Sequence, residues 1–401
     1  MTMNFSITTL GCKVNQYESA GVATALQRAG LTRCEDGRAD LVVINTCCIT
    51  TTAMRKSRQA IRKAIRTAGD PVVLVAGCYS DYSGQNISEI LSEAGIKEDR
   101  AVVVGHHGDV AEAVAQAISS VKDGKSTTYR DHNAFSTENL KERRRIAAER
   151  EITSNLNNID EFQGHQRAFV KVQDGCDAFC TYCVVPFTRP NLTSRPIPEI
   201  RDECRRLIDA GHKEIVLTGV FIGAFGRPSA RRKDWGQPHH APLAELVNEI
   251  AELPGLWKVR LSSIEPADVT DDLIRVAQSH PTFAPHFHLP LQSGSETILK
   301  RMNRQYTASE FRDTVVRLRE AFENPALTAD IIVAFPGETD DDFEATLAMA
   351  RFAEFSKIHA FPFSAIEGTA AWQWRKRTPK DDVVKARLAK LARVECELAS
   401  D

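Results

Sequence analysis

The sequence predicts an α/β protein with two domains: an open parallel sheet, followed by an incomplete parallel (β/α)6 barrel. Three observations support this fold class. The chain has 401 residues, which is more than one average domain needs. Short apolar runs of strand length alternate with longer helix-like stretches, and a polar segment divides this alternation into two blocks. Strands separated by helices favour parallel sheets.

The first block, residues 1–120, contains four predicted strands at 5–10, 41–45, 71–76 and 101–104. Helix-like stretches at 19–29 and 52–66 lie between them. From about residue 121 to 161 the apolar runs disappear, and Gly, Ser, Thr and charged residues dominate. Such a composition is typical of a linker, so a domain boundary is predicted there.

The second block, residues 162–378, contains six predicted strands separated by helices. The strands are at 168–172, 214–217, 258–261, 286–289, 327–333 and 357–361, and the helices at 197–210, 243–253, 271–279, 308–322 and 341–350. Six βα units suit an incomplete barrel, in which chemistry is carried out at the carboxyl ends of the strands. Residues 379–401 form the tail, which is predicted as one amphipathic helix.

The composition excludes several classes of protein. A net charge of −2 does not indicate a nucleic-acid partner, so binding to a nucleic acid would depend on local basic patches. No stretch approaches the roughly 20 apolar residues that span a bilayer, and no secretory signal is visible. We therefore expect a cytoplasmic protein without a membrane partner. In that reducing compartment its ten cysteines are expected to be metal ligands or free thiols.

Three cysteines follow the first predicted barrel strand within one loop, DGCDAFCTYC. Cys176, Cys180 and Cys183 stand at i, i+4 and i+7, so their thiolates can converge on one iron–sulfur cluster. Three thiolates leave one iron of a cubane open to a further ligand, as catalytic metal sites do. The alternative is a structural zinc site with a distant ligand such as His165.

A second trio, Cys12, Cys47 and Cys78, follows three predicted strands of the first block. Its separations, 47 − 12 = 35 and 78 − 47 = 31, are close to the roughly 30 residues of a βαβ unit. Parallel strands end at one edge, so the three thiols can meet there. The alternative is three ordinary buried cysteines. Spacing does not separate Cys47 from Cys48, and three other cysteines are expected to be inert: Cys34, Cys204 and Cys396.

The residues around both trios resemble one family. The loop 176–183 resembles the radical S-adenosylmethionine (SAM) superfamily, and the segments TLGCKVNQYES, NTC and AGCY resemble the N-terminal domain of the methylthiotransferases. KEIVLTGV, RLSSIEP, HLPLQSG, MNR and FPGET extend the match. The opening GCKVNQ is similar to the branch that acts on N6-threonylcarbamoyladenosine at tRNA position 37. The family pattern places its ligand directly after Asn-Thr, which selects Cys47.

The resemblance implies two [4Fe-4S] clusters, SAM as a cofactor and tRNA as the substrate. One SAM would methylate a sulfur at the N-terminal cluster, and a second would supply the radical for transfer to carbon 2 of adenine. Tyr182 would lie beside the SAM adenine, with ordinary loop packing as the alternative. Further cofactor-binding candidates, each with a satisfied polar group or a turn as its alternative, are Gly219, Gly223, Ser262, Glu265, Gln292 and Arg304. No catalytic residue beyond the clusters is assigned, and the electron and sulfur donors are not identified.

A basic stripe is predicted on the helix after Cys47, where four arginines recur at i, i+3, i+7 and i+11: Arg55, Arg58, Arg62 and Arg66. It could pair with phosphates, or be a solvated face. Other basic groups, at 143–145, 231–233 and 375–377, are expected to be solvated. His288 is expected to be a hydrogen-bonded barrel residue, and the histidine pairs 106–107 and 239–240 carry little information. No strand signals follow the final helix, so the family's small tRNA-binding β-barrel is expected to be absent.

Two other functions remain open at this point. The same chemistry could act on isopentenyladenosine in tRNA or on an aspartate of a ribosomal protein. Alternatively, the chain could be an iron–sulfur electron carrier or an RNA-binding protein without catalysis.

Overall fold

The computed structural model of the chain describes residues 3–35, 39–68, 70–106, 109–123, 156, 159–162, 166–235 and 241–399. Two units divide the chain. The first comprises Met1–His165 with Val184–Asn191, and the second comprises Gln166–Cys183 with Leu192–Asp401. Most of the predicted linker at 121–161 lies outside the described residues, so the domain boundaries drawn from the sequence stay predictions.

The first unit is built on a five-stranded sheet in the order β2-β1-β3-β4-β5, with every pair parallel. Its strands are β1 Asn4–Thr9, β2 Thr32–Arg33, β3 Leu41–Thr46, β4 Val72–Gly77 and β5 Ala101–Val103. The two central strands β3 and β4 are buried along their whole length, which is why they read as continuous apolar runs. Strand β2 was not predicted, because its two residues are exposed and carry no apolar pattern.

Helices α1 Lys13–Arg28, α2 Thr51–Ala68 and α3 Cys78–Glu93 connect these strands, and α4 Val110–Asp123 follows the last of them. The single turn α5 Val185–Thr188, from a later segment of the chain, also belongs to this unit. Side chains from the sheet and from α1 and α4 form the main core, which includes Phe5, Leu26, Leu41, Leu74 and Val114. This packing holds the carboxyl ends of β1, β3 and β4 in fixed positions.

The second unit contains six parallel strands in chain order. Their bounds are β6 Arg167–Asp174, β8 Glu214–Gly219, β9 Lys258–Leu261, β10 His286–His288, β11 Ala326–Val333 and β12 Lys357–Pro362. Two sheets, β7-β6-β8-β9 and β10-β11-β12, are joined through a parallel bridge between Val259 and Phe283. The predicted incomplete barrel is therefore confirmed. Among the described strands of this unit, β7, Thr193–Ser194, is the one that runs antiparallel, at the edge beside β6.

Seven helices of the second unit accompany these strands within the described ranges: α6 Ile197–Asp209, α7 Pro242–Ala251, α8 Asp271–Ser279, α9 Glu296–Arg301, α10 Ala308–Ala321, α11 Asp340–Phe352 and α12 Asp381–Leu398. For the five helices predicted between the barrel strands, the bounds agree to within two residues; the tail predicted as one helix at 379–401 contains α12, and its last two residues lie outside the described ranges. Among all the described residues, no helix has both the length and the apolar character needed to cross a membrane.

The C-terminal helix α12 is fastened to the loop after β11 through a buried arginine. Arg387 donates to the carboxylate of Glu338 at 2.5 Å and to Asp340 at 2.8 Å. Glu338 also accepts the backbone N–H of Ala334 at 2.8 Å. Glu338 of the FPGET segment thus holds the last helix through a buried ion pair.

Candidate functional site

The trio of Cys12, Cys47 and Cys78 lies at the carboxyl edge of the N-terminal sheet. Cys12 is the N-cap of α1 after β1, Cys47 directly follows β3, and Cys78 opens α3 directly after β4. These strands are neighbours in the order β1-β3-β4, and the chain reverses its direction of winding between β1 and β3. Such a switch point is where open α/β sheets bind ligands.

Gly11 shows how closely the Cys12 loop approaches Cys47. Its φ is +107°, and a Cβ placed there would lie 3.0 Å from Cys47 Cβ and 3.2 Å from Cys47 Sγ. Burial, followed by the nearby Cys78, raises the pKa of Cys47 to about 12. Burial also raises the pKa of Cys12, and Cys78 acts in the same direction. The sulfurs of this trio therefore interact with one another.

Two buried asparagines join the loops that carry Cys12 and Cys47. Asn15 Nδ2 donates to the carbonyls of Leu10 and Thr46, each at 2.9 Å. Asn45 Nδ2 donates to the Asn15 carbonyl at 3.0 Å and to Ser19 Oγ at 3.2 Å. The segments that carried the family resemblance are thus the ones that hold the two loops together.

Cys78 has a polar environment that the sequence analysis did not anticipate. Arg189 Nε donates to its sulfur at 3.5 Å, and His106 Nε2 lies 3.5 Å from the same atom. A hydrogen bond from Cys48 holds the pKa of Cys78 well below its usual range; burial opposes this effect, whereas Arg189 and His106 reinforce it. The expectation that His106 carries little information was wrong. His106 follows β5, which neighbours β4, so the topology that placed the cysteines also places this histidine.

The trio of Cys176, Cys180 and Cys183 lies in the loop after β6. Cys176 Sγ accepts the backbone N–H of Ala178 at 3.5 Å, and Cys183 N–H donates to the Cys180 carbonyl at 2.9 Å. Phe179 adopts a φ of +55°, an uncommon conformation for a bulky residue, which tightens this turn. Burial raises the pKa of Cys176 well above its usual range, and the other two thiols add to this effect. The three thiols are therefore near one another.

The Met-Asn-Arg segment at 302–304 supports this loop from a separate part of the second unit. Asn303 Nδ2 donates to the carbonyls of Ala178 at 3.3 Å and Phe179 at 3.0 Å. The Met302 carbonyl accepts the backbone N–H of Thr181 at 2.9 Å. The backbone of the cysteine loop is thus held by hydrogen bonds from this segment.

Arg304 joins the cysteine loop to two predicted cofactor-binding residues. Its Nη1 donates to Cys180 Sγ at 3.1 Å and to the Tyr182 hydroxyl at 3.2 Å, while its Nη2 pairs with Glu265. Arg232 contacts the other Glu265 oxygen at 3.1 Å. Arg232 was expected to be solvated, but its side chain is only 19% exposed, since it lies within this ion-pair network.

The remaining candidates are placed as follows. The position that a Cβ would take at Gly223 is filled by the Asp268 carboxylate, and at Gly219 it would lie 2.8 Å from Gln173 Oε1. Close packing within the protein is therefore enough to explain why both positions are glycine. The buried hydroxyl of Ser262 has no hydrogen-bond partner among the described residues. Gln292 is buried and has a φ of +58°. The assignment of these residues to cofactor binding stays a prediction.

The donor chemistry of the two trios fits iron–sulfur clusters. Within the described ranges, no group of three His, Cys, Asp or Glu side chains is placed as a single metal ion would require. The thiolates of a cubane instead bind different irons, and hydrogen bonds to the sulfurs tune such clusters. Cys176 and Cys180 each have a sulfur that accepts a hydrogen bond, as does Cys78 in the other trio, and the assignment of all six cysteines as cluster ligands stays a prediction.

Comparisons with known proteins agree with this description. Residues 170–350 match the model of the "Radical SAM superfamily", and residues 4–96 match "Uncharacterized protein family UPF0004". The chain is similar in fold to the radical S-adenosylmethionine methyltransferase TsrM from Kitasatospora setae. The TM-score is 0.58 at 13% identity, over 92% of this chain and 74% of that one.

Sequence relatives are more specific. The chain is 35% identical to the threonylcarbamoyladenosine tRNA methylthiotransferase MtaB of Bacillus subtilis (strain 168), over 98% of this chain and 80% of the relative. It is 36% identical to the tRNA-2-methylthio-N(6)-dimethylallyladenosine synthase of Agrobacterium fabrum (strain C58), over 90% and 76%. The chain belongs to the tRNA methylthiotransferase family of radical SAM enzymes.

Proposed function

We propose that this enzyme adds a methylthio group to carbon 2 of N6-threonylcarbamoyladenosine at position 37 of tRNA. The observation that carries the proposal is the presence of two separate cysteine trios, each at the carboxyl ends of parallel strands. The similarity to MtaB proteins of three organisms supports the choice of substrate.

Each trio would hold one [4Fe-4S] cluster. Cys176, Cys180 and Cys183 would hold the cluster that binds SAM, and Cys12, Cys47 and Cys78 the second cluster. When bound, the first cluster and SAM supply a carbon radical, which is needed because no side-chain base removes the unactivated hydrogen on carbon 2 of adenine. The protein contributes by orienting these ligands: Asn303 and Arg304 hold the cysteine loop, while Asn15 and Asn45 hold the second trio.

A basic helix of the first unit supports tRNA as the partner. Helix α2 carries six cations and no acidic residue, and Arg55, Arg62 and Arg66 are exposed. Arg58 instead turns inward, where its Nη1 donates to the Tyr79 hydroxyl at 3.1 Å. The predicted stripe is therefore reduced to three exposed arginines, which could contact the phosphates of an RNA.

The test is an anaerobic assay of the reconstituted full chain with SAM, a reductant, a sulfide source and unmodified or modified tRNA. Nucleosides from the digested tRNA are separated and weighed by mass spectrometry. We expect 2-methylthio-N6-threonylcarbamoyladenosine with the threonylcarbamoylated substrate. Cys47→Ala and Cys176→Ala should each lower bound iron from about eight to about four per chain and abolish the product.

The alternatives are distinguished when the same assay is repeated with tRNA that carries isopentenyladenosine and with the ribosomal protein. If only tRNA with isopentenyladenosine gave a methylthio product, the enzyme would belong to the branch that modifies this nucleoside, to which the chain is also similar. Methylthiolation of a ribosomal protein but not of tRNA would exclude both tRNA assignments. Two intact clusters without any cleavage of SAM after reduction would indicate an electron carrier or a non-catalytic RNA-binding protein.

A further inference from the structure

Each cysteine trio has its own buried arginine, which donates to one sulfur and pairs with one glutamate. In the first unit, Arg189 donates to Cys78 Sγ from Nε and to the two carboxylate oxygens of Glu18 from Nη1 and Nη2, each at 2.8 Å. In the second, Arg304 donates to Cys180 Sγ and pairs with Glu265. The arginine side chains are only 3% and 5% exposed.

The Arg189 arrangement uses all sides of the guanidinium. The two bonds to Glu18 fix its plane, which aims the remaining Nε–H at Cys78. Its Nη2 also lies 3.4 Å from Oδ1 of Asn15, whose side chain positions the Cys12 loop. A lysine has no planar fork and could not satisfy Glu18 and Cys78 in this way.

We infer that Arg189 is a positioning residue that raises the reduction potential of the cluster held by Cys12, Cys47 and Cys78. The inference rests on the proposed function, because it requires this trio to hold a cluster. Reduction adds a negative charge to the cluster. Arg189 donates to a ligand sulfur from Nε, whereas Glu18 is bound on the Nη side, so the N–H and the positive charge act on the cluster at shorter range than the carboxylate does. They therefore stabilise the reduced form more than the oxidised form, because burial weakens screening by water.

Segment Val184–Asn191 explains why this arginine is present in the first unit. It follows Cys183 directly in the chain, yet it belongs to the N-terminal unit, where its turn α5 packs against α3. Cys78 is the first residue of α3. Packing between these two helices therefore brings Arg189 to the sulfur of Cys78.

The experiment measures the potential of the N-terminal cluster alone. A full-length background with Cys176→Ala, Cys180→Ala and Cys183→Ala removes the other cluster, and the remaining signal is followed by electron paramagnetic resonance during a redox titration. Arg189→Met removes the charge and the donor. Because this leaves Glu18 without its cation, the double variant Arg189→Met/Glu18→Gln removes the whole pair and avoids an uncompensated buried charge.

We expect about four irons per chain in the background and in the double variant, with a clearly more negative potential in the variant. Arg201→Met is the control, since this arginine lies on α6 and its side chain is 41% exposed. The cluster in this variant should have the same reduction potential as in the background. Arg189→Gln, which keeps an N–H donor without the charge, should give an intermediate value.

Two results would overturn the inference. One is an unchanged potential in the double variant with its iron intact. The other is loss of iron from all three Arg189 variants, since Arg189 would then be required for assembly of the cluster and not for tuning its potential. Failure of the proposed function would give other results. The background with Arg189 intact would then show no signal from the N-terminal cluster, or the wild-type chain would form no methylthio product.

Discussion

Gly11→Ala should disturb the N-terminal trio through a single methyl group. An L side chain at this positive φ costs about 1–2 kcal/mol. The new Cβ would also lie 3.0 Å from Cys47 Cβ, closer than the roughly 3.5–4.0 Å that carbon atoms prefer. Cys47 cannot move away easily, because its N–H and carbonyl are both bonded to Ser57 Oγ. Overpacking of this kind costs a further amount of about 1–3 kcal/mol.

Gly30→Ala is the matched control for this substitution. Gly30 has a φ of +83°, yet nothing lies within 4 Å of the position its Cβ would take. It should therefore lose only the backbone contribution of about 1–2 kcal/mol. The free energy of unfolding is measured by denaturant titration of the apo-protein, and iron is counted after anaerobic reconstitution. Gly11→Ala should retain about four irons of about eight, and Gly30→Ala all of them. Equal iron content and equal stability in the two variants would refute the reasoning.

Three further substitutions test other parts of the structure. Asn303→Ala removes two hydrogen bonds to the loop 176–183, so a chelator should extract iron from that site faster than in wild type, at a cost of about 1–3 kcal/mol in unfolding free energy. Thr307→Ala breaks the capping box with Glu310 and should cost about 1 kcal/mol, with iron content unchanged. Burial raises the pKa of Glu338 from 4.5 to about 7, so the folded state keeps a proton that the unfolded chain releases. Wild-type stability should therefore fall by up to about 3 kcal/mol as pH rises between these values, and Glu338→Gln should lack this slope in denaturant titrations. A variant with the wild-type slope would contradict that account.

The strands and the cysteine trios could be predicted because both depend on periodic features. Buried parallel strands read as apolar runs, and a spacing near one βαβ unit places Cys12, Cys47 and Cys78 after successive strands. The loop with Cys176 is local, so its spacing alone indicates a cluster.

The partners of the cysteines could not be predicted, because they depend on tertiary contacts. Arg189 follows the cysteine loop 176–183 in sequence but contacts Cys78, which is 111 residues away in the chain, and no local pattern reveals such a contact. Arg304 was predicted as a cofactor-binding residue near a strand end, yet its contact with Cys180 required the three-dimensional fold. His106 could have been found, because it follows β5 as the cysteines follow their strands.

The buried pair between Glu338 and Arg387 has a consequence for synthesis on the ribosome. The carboxylate is made 49 residues before its cation, which corresponds to several seconds at about 5–20 residues per second. During this interval the nascent barrel contains an acidic group that it can bury only by keeping it protonated. The emergence of helix α12 therefore supplies the arginine donor that this buried carboxyl group lacks until then, and slow translation of that region would prolong the exposure of the half-finished barrel to aggregation.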